Sequence, residues 1–422
     1  MSSFLFSSYL LHFNCKFVTF GGMNMESNLT VKASAIHRAR LAWSLYINYF
    51  IHGFGLIILA QNMTSLGAAW NSPLKIVSFV ISGVGIGRLL SYLITGFLAD
   101  LFSRKAFVLL GMSAYLAFAI GIPFSHNIYV AYFFAILAGI ANSALDAGTY
   151  TTFVELNGGN GAATILIKAF MSAGEFVLPL LIAQLTANGL WFGWSFMTMA
   201  ALVVINFILI LPLSFPLPNQ SPAQEGSGEK KVKPNWVTTI ALVLYGYTSM
   251  AVMIWFTQWI SLFAADSLNF SDGQAHFLLS LYSLGSISGV MLIFALLKRN
   301  VKETHLLISM NVIAVLALLG VLVGTSTVMV QVASFVFGLS AAGGIMQVGL
   351  TLFMRFFPHH RGMVTGVYYF FGSIASFTVP LITGVLSTTS MRAAMTGDLV
   401  VGLIGSALML VVLISERGRH HG

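Results

Sequence analysis

Apolar residues in this chain come in long, nearly unbroken windows rather than in alternating or one-sided stripes. Such windows lie near 42–63, 76–99, 106–123, 127–153, 162–186 and 190–213, and again near 236–264, 276–297, 304–324, 327–354, 362–387 and 393–415. A bilayer core takes ~20 apolar residues per helix. Lipid offers the backbone no hydrogen-bond partner, so each window predicts a transmembrane α-helix. The interruption between the sixth and seventh windows carries Pro216, Pro218, Pro222 and Pro234 with Lys230, Lys231 and Lys233, the composition of a flexible connector. The expected architecture is an all-α integral membrane protein with twelve transmembrane helices in two pseudo-symmetric six-helix bundles. Its parts are an N-terminal segment 1–40, a first bundle 41–214, a cytoplasmic linker 215–235, a second bundle 236–415 and a tail 416–422.

Composition fixes the solvent. Of the 422 residues 57% are hydrophobic and 8% charged, with a mean hydropathy of +0.89. A water-facing domain carries about 25% charged residues, so lipid must surround most of this chain. Cys15 is the one cysteine, which excludes an internal disulfide or a thiolate metal cluster. The net charge of +8 points to nucleic acid only until its distribution is read. With the N-terminus inside, 16 of the 20 Lys and Arg fall in the N-terminal lead, the even-numbered loops or the tail. That is the positive-inside signal. It predicts a multi-pass protein with both termini cytoplasmic and no nucleic-acid partner. The stretch from Met1 to Phe20 is apolar only in short pieces and lacks the features of a signal peptide. The expected start is Met23 or Met25, the alternative being a genuine amphipathic extension.

The two halves are related. Phe176-Val-Leu-Pro179 and Phe377-Thr-Val-Pro380 are 201 residues apart, and Gly139-Ile and Gly338-Leu are 199 apart. Gly85-Ile-Gly87 in the second helix is echoed by Gly285-Ser-Ile-Ser-Gly289 in the eighth. A shared offset at matching helix positions indicates duplication of a six-helix unit.

Between the second and third helices the chain reads Gly96-Phe-Leu-Ala-Asp100-Leu-Phe-Ser-Arg104-Lys105. This resembles the signature loop of the major facilitator superfamily, with Leu101 in place of the usual basic residue and Ser103 in place of the second glycine. By that resemblance Gly96, Asp100, Arg104 and Lys105 form a conformational gate loop, and the chain is an alternating-access carrier with a midplane cavity. The segments Ile81–Leu89, Gly139–Asp146 and Gly338–Ile345 are similar to the YdiM/YdiN-type transporters of enteric bacterial inner membranes. The resemblance therefore implies the bacterial inner membrane as location. More distantly, Leu145-Asp146 is similar to the Leu-Glu of fucose-permease-like proton symporters, whose acidic residue is implicated in proton coupling. The sugar-site glutamine of that family aligns with Lys168, which puts sugar specificity in doubt and leaves a neutral polyol or sugar as the alternative to an anion. Its helix-one aspartate has no counterpart in Leu59-Ala-Gln61-Asn62.

Ionisable groups in hydrocarbon are costly unless paired or watered, so each is a functional candidate. Four stand out: Arg88, Asp146, Lys168 and Glu175. At 1.5 Å per residue, Asp146 lies ~13 Å and Lys168 ~10 Å from the cytoplasmic end, so an Asp146–Lys168 ion pair is expected. Arg88 and Glu175 lie ~18 and ~21 Å in, near the midplane. Burial favours a neutral carboxyl and a nearby cation favours the carboxylate. Asp146, and after it Glu175, is therefore the candidate for proton coupling, against the plainer reading of a neutralised packing pair. Arg88 presents a planar fork suited to a carboxylate; a strut to backbone carbonyls or to Glu175 is the equal alternative. With Lys168 it points to a small organic anion. Asn48 and His52 share a face of the first helix, and Tyr245, Gln258, Gln347 and Tyr369 are further candidates for the substrate cavity. The second half is expected to be neutral in depth, with Tyr369 opposite Lys168 and Ser376 opposite Glu175.

These readings make the chain a proton-coupled symporter of a small polar solute, working as a monomer with no cofactor and no metal. No Walker loop, H-E-x-x-H or serine-nucleophile signature occurs, so no enzyme is expected. An exporter by proton antiport is the alternative within transport, disfavoured by the separation of Gly174 from Pro179. A non-transporting sensor is the alternative outside it, disfavoured by the short tail.

Overall fold

The computed structural model describes residues 25–98, 103–156, 162–216, 236–299, 301–357 and 361–418. The stretch Met1–Phe20, most of the linker and Asp100 lie outside them. Twelve helices are long and apolar enough to cross a membrane. They are α1 (Met25–Gln61), α2 (Leu74–Leu98), α3 (Arg104–Phe124), α4 (Ile128–Leu156), α5 (Ala162–Ala187), α6 (Gly193–Ile210), α7 (Trp236–Ser267), α8 (Asp272–Lys298), α9 (Glu303–Val323), α10 (Thr327–Phe356), α11 (Arg361–Leu386) and α12 (Met391–Gly418). A short helix, Met63–Ala69, leads from α1 to α2. Leucines, isoleucines and valines such as Ile205, Ile208 and Leu209 on α6 point outward, as lipid-facing surfaces require.

Helix pairing repeats between the halves. In the first, α1 packs on α5 and α6, α4 on α2 and α3, and α3 on α6; in the second, α7 packs on α11 and α12, α10 on α8 and α9, and α9 on α12. Adding six to each number of the first set gives the second. The halves meet through α2 on α11 and α5 on α8, two seams that the repeat also exchanges. Close helix approach in lipid depends on small residues, and glycine supplies it in both halves. A Cβ on Gly87 would strike the Ile136 carbonyl of α4, and one on Gly139 would strike the Val84 carbonyl of α2. In the second half a Cβ on Gly289 would strike the Leu339 carbonyl of α10, and one on Gly338 the Tyr282 carbonyl of α8.

The copies diverge in α10. Its apolar window predicts one continuous helix, and α4 is one. In α10 the helix widens into a π turn over Gly338–Ala342, Gly344 takes a left-handed φ of 109°, and the helix restarts at Ile345. The Gly343-Gly344 pair permits this break, and π turns in helices often mark functional positions. Proline sits inside α5 at Pro179 and inside α11 at Pro380. Each removes the hydrogen bond to the carbonyl four residues earlier, which is that of Glu175 in one half and of Ser376 in the other.

Depth of charge differs from the sequence expectation. Asp398, seven residues into α12, is fully buried, so the second half also holds a deep ionisable side chain. Position alone does not predict this, because a carboxylate this near a helix start ordinarily reaches the membrane surface.

Candidate functional site

Asp146 occupies the middle of the first bundle's inner face. Its Oδ1 accepts from the Tyr49 hydroxyl of α1 at 2.5 Å, and its Oδ2 accepts from the Tyr92 hydroxyl of α2 at 2.9 Å. Tyr150, one turn further along α4, stands edge-on to Tyr49 at 5.7 Å between ring centroids. Asp146 and Tyr92 are half-buried, so the cluster keeps access to the space between the halves. The expected Asp146–Lys168 ion pair does not form. Lys168 is half-buried on α5 and makes no hydrogen bond or ion pair with the described residues. The reason is packing: α5 lies on α1 and α8, whereas α4 lies on α2 and α3, so equal depth does not bring the two side chains together.

Behind this cluster runs a buried polar chain. His52 lies one turn from Tyr49, with ring centroids 5.3 Å apart. The Tyr115 hydroxyl of α3 donates to Asn142 Oδ1, which leaves the 2.9 Å contact with His52 Nδ1 to be donated by the imidazole. His52 is thus part of the first bundle's interior, one layer back from the cavity.

Arg88 is held at the seam between halves. Its Nη1 donates to Ser376 Oγ of α11 at 3.2 Å, and its guanidinium lies 5.9 Å from the centroid of the Tyr92 ring. The strut therefore runs to Ser376, and Nε has no partner among the described residues. Tyr92 in turn stacks on Tyr369 of α11, centroids 6.2 Å apart and planes 15° from parallel. Glu175 is buried, and its Oε2 has no partner among the described residues. Nearby, Ser172 meets Ser286 of α8 at 3.2 Å across the second seam.

The cross-half bonds cluster toward the α1–α2 end of the bundle. Gln61 Oε1 receives Ser261 Oγ at 3.2 Å and His276 Nδ1 at 2.7 Å. Ser78 Oγ donates to the Pro380 carbonyl at 2.6 Å and accepts from Gln258 Nε2 at 2.6 Å. Ser280 Oγ donates to the Phe176 carbonyl at 2.9 Å. All of these lie on the α1–α2 side of the Tyr92–Tyr369 stack.

Other candidates fall elsewhere. Asn48 is buried between α1 and α6, where Asn206 Nδ2 donates to its Oδ1 at 2.7 Å. Tyr245 is buried between α7 and α9 and accepts from Asn311 Nδ2 at 2.8 Å. Gln258 belongs to the seam at Ser78. Gln347 is exposed on α10, just past the break. These four are therefore not gathered around Asp146; of the second-half candidates, Tyr369 is. At the gate loop, Gly96 lies in the last turn of α2 and Arg104 begins α3. Lys105 Nζ donates to the Leu211 carbonyl at the end of α6, at 2.6 Å. Ser103, the departure from the signature, caps α3 by accepting from the Ala106 amide at 3.3 Å. A serine there gains a helix cap that glycine lacks.

Sequence reasoning missed Tyr49, Tyr92 and Asp398. Tyr49 sat between Asn48 and His52, and Tyr92 one turn beyond Arg88, so spacing from the marked residues held the signal.

A model of the Major Facilitator Superfamily matches residues 45–271 and again 239–422. The inner membrane transport protein YdiM of Escherichia coli strain K12 is 40% identical over 389 residues, covering 90% of this chain and 96% of that protein. The inner membrane transport protein YdiN of the same strain is 33% identical over 373 residues, covering 88% and 89%. Among solved structures, a D-xylose-proton symporter superposes with a TM-score of 0.70 at 12% identity, covering 88% of this chain and 96% of that one.

Proposed function

This chain belongs to the major facilitator superfamily and is a membrane-embedded secondary transporter; we propose that it moves a small organic anion by proton symport, with Asp146 as the coupling carboxyl. The observation that carries the reading is the double tyrosine clamp on Asp146, because one of its members, Tyr92, also stacks on Tyr369 of the opposite half. An ionised carboxylate accepts both hydroxyl bonds with charge assistance. A protonated one has a proton to donate and holds the two hydroxyls more weakly. Protonation thus loosens Tyr92 and, through it, the contact between halves.

The anion is inferred from Lys168 and Arg88. Lys168 faces the interior with no ion pair among the described residues, and a buried cation is stabilised by an arriving carboxylate. Arg88 contributes positive potential from the seam, and Tyr92, Tyr150 and Tyr369 offer aromatic faces. Glu175 is the second coupling candidate. Asn48, Tyr245 and Gln258, engaged in packing, serve the framework in this reading. With both termini on the cytoplasmic side of a bacterial inner membrane, the clustered seam bonds close the periplasmic end, which is an inward-open form.

Uptake into proteoliposomes across a panel of organic acids and sugars, under an imposed pH gradient, tests the proposal. Accumulation of an anionic solute is expected, and Asp146→Asn should abolish it while sparing counterflow exchange. Movement that ignores the gradient, or accumulation surviving Asp146→Asn, refutes the coupling role.

A further inference from the structure

The second bundle holds a carboxyl that the transport reading does not use. Asp398 on α12 is fully buried, and neither of its oxygens has a hydrogen-bond partner among the described residues. The helix packed most extensively against α12, α7, offers Trp255 at this level, with Trp259 one turn beyond it, and no cation. The Trp255 indole is spent on the Ala394 carbonyl at 2.5 Å, while the Trp259 Nε1 is also without a partner. From α9 comes Asn311, whose amide nitrogen is committed to Tyr245 and to the Leu307 carbonyl. From α8 comes the buried Tyr282, whose ring is stacked on Phe256 and Phe337. Arg392, the nearest cation along α12, lies over Phe263 and donates to the Leu322 carbonyl, and it has no ion pair with Asp398.

One turn further along the same face of α12, Gly402 and Gly405 line an enclosed void of about 10 Å³. Its other walls include Thr248 and Ser249 of α7, Asn311, and Ala341 in the π turn of α10. That is close to the smallest space that takes a single water molecule, and Thr248, Ser249 and Asn311 bring polar groups to walls otherwise formed by Val252, Ala314, Ala341 and Ile345. The π turn is tied to the other half as well: Ser286 Oγ donates to the Ala342 carbonyl at 3.2 Å and meets Ser172 at 3.2 Å. Ser172 is one turn from Glu175. Polar groups therefore extend from the Glu175 side of the seam, through the break in α10, toward Asp398.

We infer that Asp398 is a second proton-binding site of this carrier, one per half with the site in the first bundle, and that it carries its proton in this conformation. An isolated carboxylate enclosed by helices with no cation is neutralised rather than left charged. A proton on one oxygen removes the charge. Release of that proton needs a water to reach the carboxyl when the halves rearrange: the carboxyl O–H gives its proton to the water, which leaves as hydronium, and Asp398 is left as the anion. Asp398 is a proton-binding residue in this scheme and touches no solute. The inference rests on the family's alternating access and is independent of Asp146 as the first coupling group.

Infrared spectroscopy of the full-length protein in lipid nanodiscs at neutral pH tests it. A neutral carboxylic acid has a carbonyl stretch separate from that of carboxylates and amides. The wild type should show such a band, Asp398→Asn should lose it, and Asp146→Asn should keep it. If Asp398→Asn is not recovered folded, Asp398→Leu serves, since it fills the same apolar surroundings. A spectrum in which neither variant at position 398 removes intensity overturns the proposal. Disappearance of the band on adding sodium chloride at constant ionic strength also overturns it, because it assigns the site to a sodium ion. Loss of pH-driven uptake in Asp146→Asn with the band intact leaves this site standing, so failure of the two readings is separable.

Discussion

Ser78 is the residue through which the closed end of the molecule is most directly weakened. Its hydroxyl donates to the Pro380 carbonyl of α11 and accepts from Gln258 of α7, both at 2.6 Å, and both Ser78 and Gln258 are buried. Ser78→Ala deletes two cross-half bonds with little change of volume. It also strands the Gln258 amide, whose Oε1 already lacks a partner among the described residues. A buried hydrogen bond is worth ~1 kcal/mol net, so the two together come to about 2 kcal/mol. Both bonds exist only while α2 meets α7 and α11, so the loss falls on the closed form alone and shifts the equilibrium roughly 30-fold toward opening at that end. The assay is double electron–electron resonance with spin labels at Ala69 and Thr389, exposed positions at the α1–α2 end on opposite halves, in a Cys15→Ser background. The long-distance population should grow in Ser78→Ala. Gln258→Leu should give a smaller effect, because it removes one bond and leaves no stranded amide. An unchanged distance distribution in Ser78→Ala would refute the idea that these bonds hold the end shut.

Other perturbations probe different layers. Tyr92→Phe removes one bond to Asp146 but keeps the ring on Tyr369; it should reduce gradient-driven uptake about tenfold, a charge-assisted bond being worth ~1.5–3 kcal/mol, whereas Tyr92→Leu should damage exchange as well. Lys168→Gln should weaken binding of an anionic solute in a scintillation-proximity assay and leave that of an uncharged one unchanged. Gly139→Ala sets a methyl against the Val84 carbonyl of α2 and should cost about 1–3 kcal/mol, read as a lower unfolding temperature in detergent. Ser103→Ala should cost about 1 kcal/mol through the lost cap of α3, while Ser103→Gly should cost only a few tenths.

Twelve spans and their duplication were legible because lipid imposes one rule on every segment, and that rule is written in local composition. Pair geometry was not. Asp146 and Lys168 share a depth, yet their partners depend on which helices touch, and the α2–α4 contact is carried by glycines whose meaning appears only in pairs. Gly87 and Gly139 were visible as repeat markers; that each backbone lies against the other was not. The α10 break was equally hidden, since Gly338 to Gly344 reads as a small-residue stretch in either a continuous or an interrupted helix. Asp398 was not legible either: seven residues into its helix, a carboxylate can reach the membrane surface or be buried, and only the packing decides, here for complete burial.

The arrangement of charge follows from the packing rather than from helix depth. Arg88 bonds across one seam to Ser376, at the place in the second half that matches Glu175 in the first. Both positions precede a proline by four residues, so both sit where a helix has lost a backbone bond and can bend. Duplication thus produced two equivalent hinge positions, and divergence gave one a carboxyl and the other a hydroxyl that receives an arginine. Ser376→Ala separates these roles. It should free Arg88 from the seam without altering the proline-bearing helix, and so loosen the halves while leaving the bend of α11 intact. Resonance distances across the seam should therefore broaden, while distances between labels on α11 alone stay fixed. Movement of the latter would show that Ser376 supports the bend itself, and the two seams would then not be mechanically equivalent.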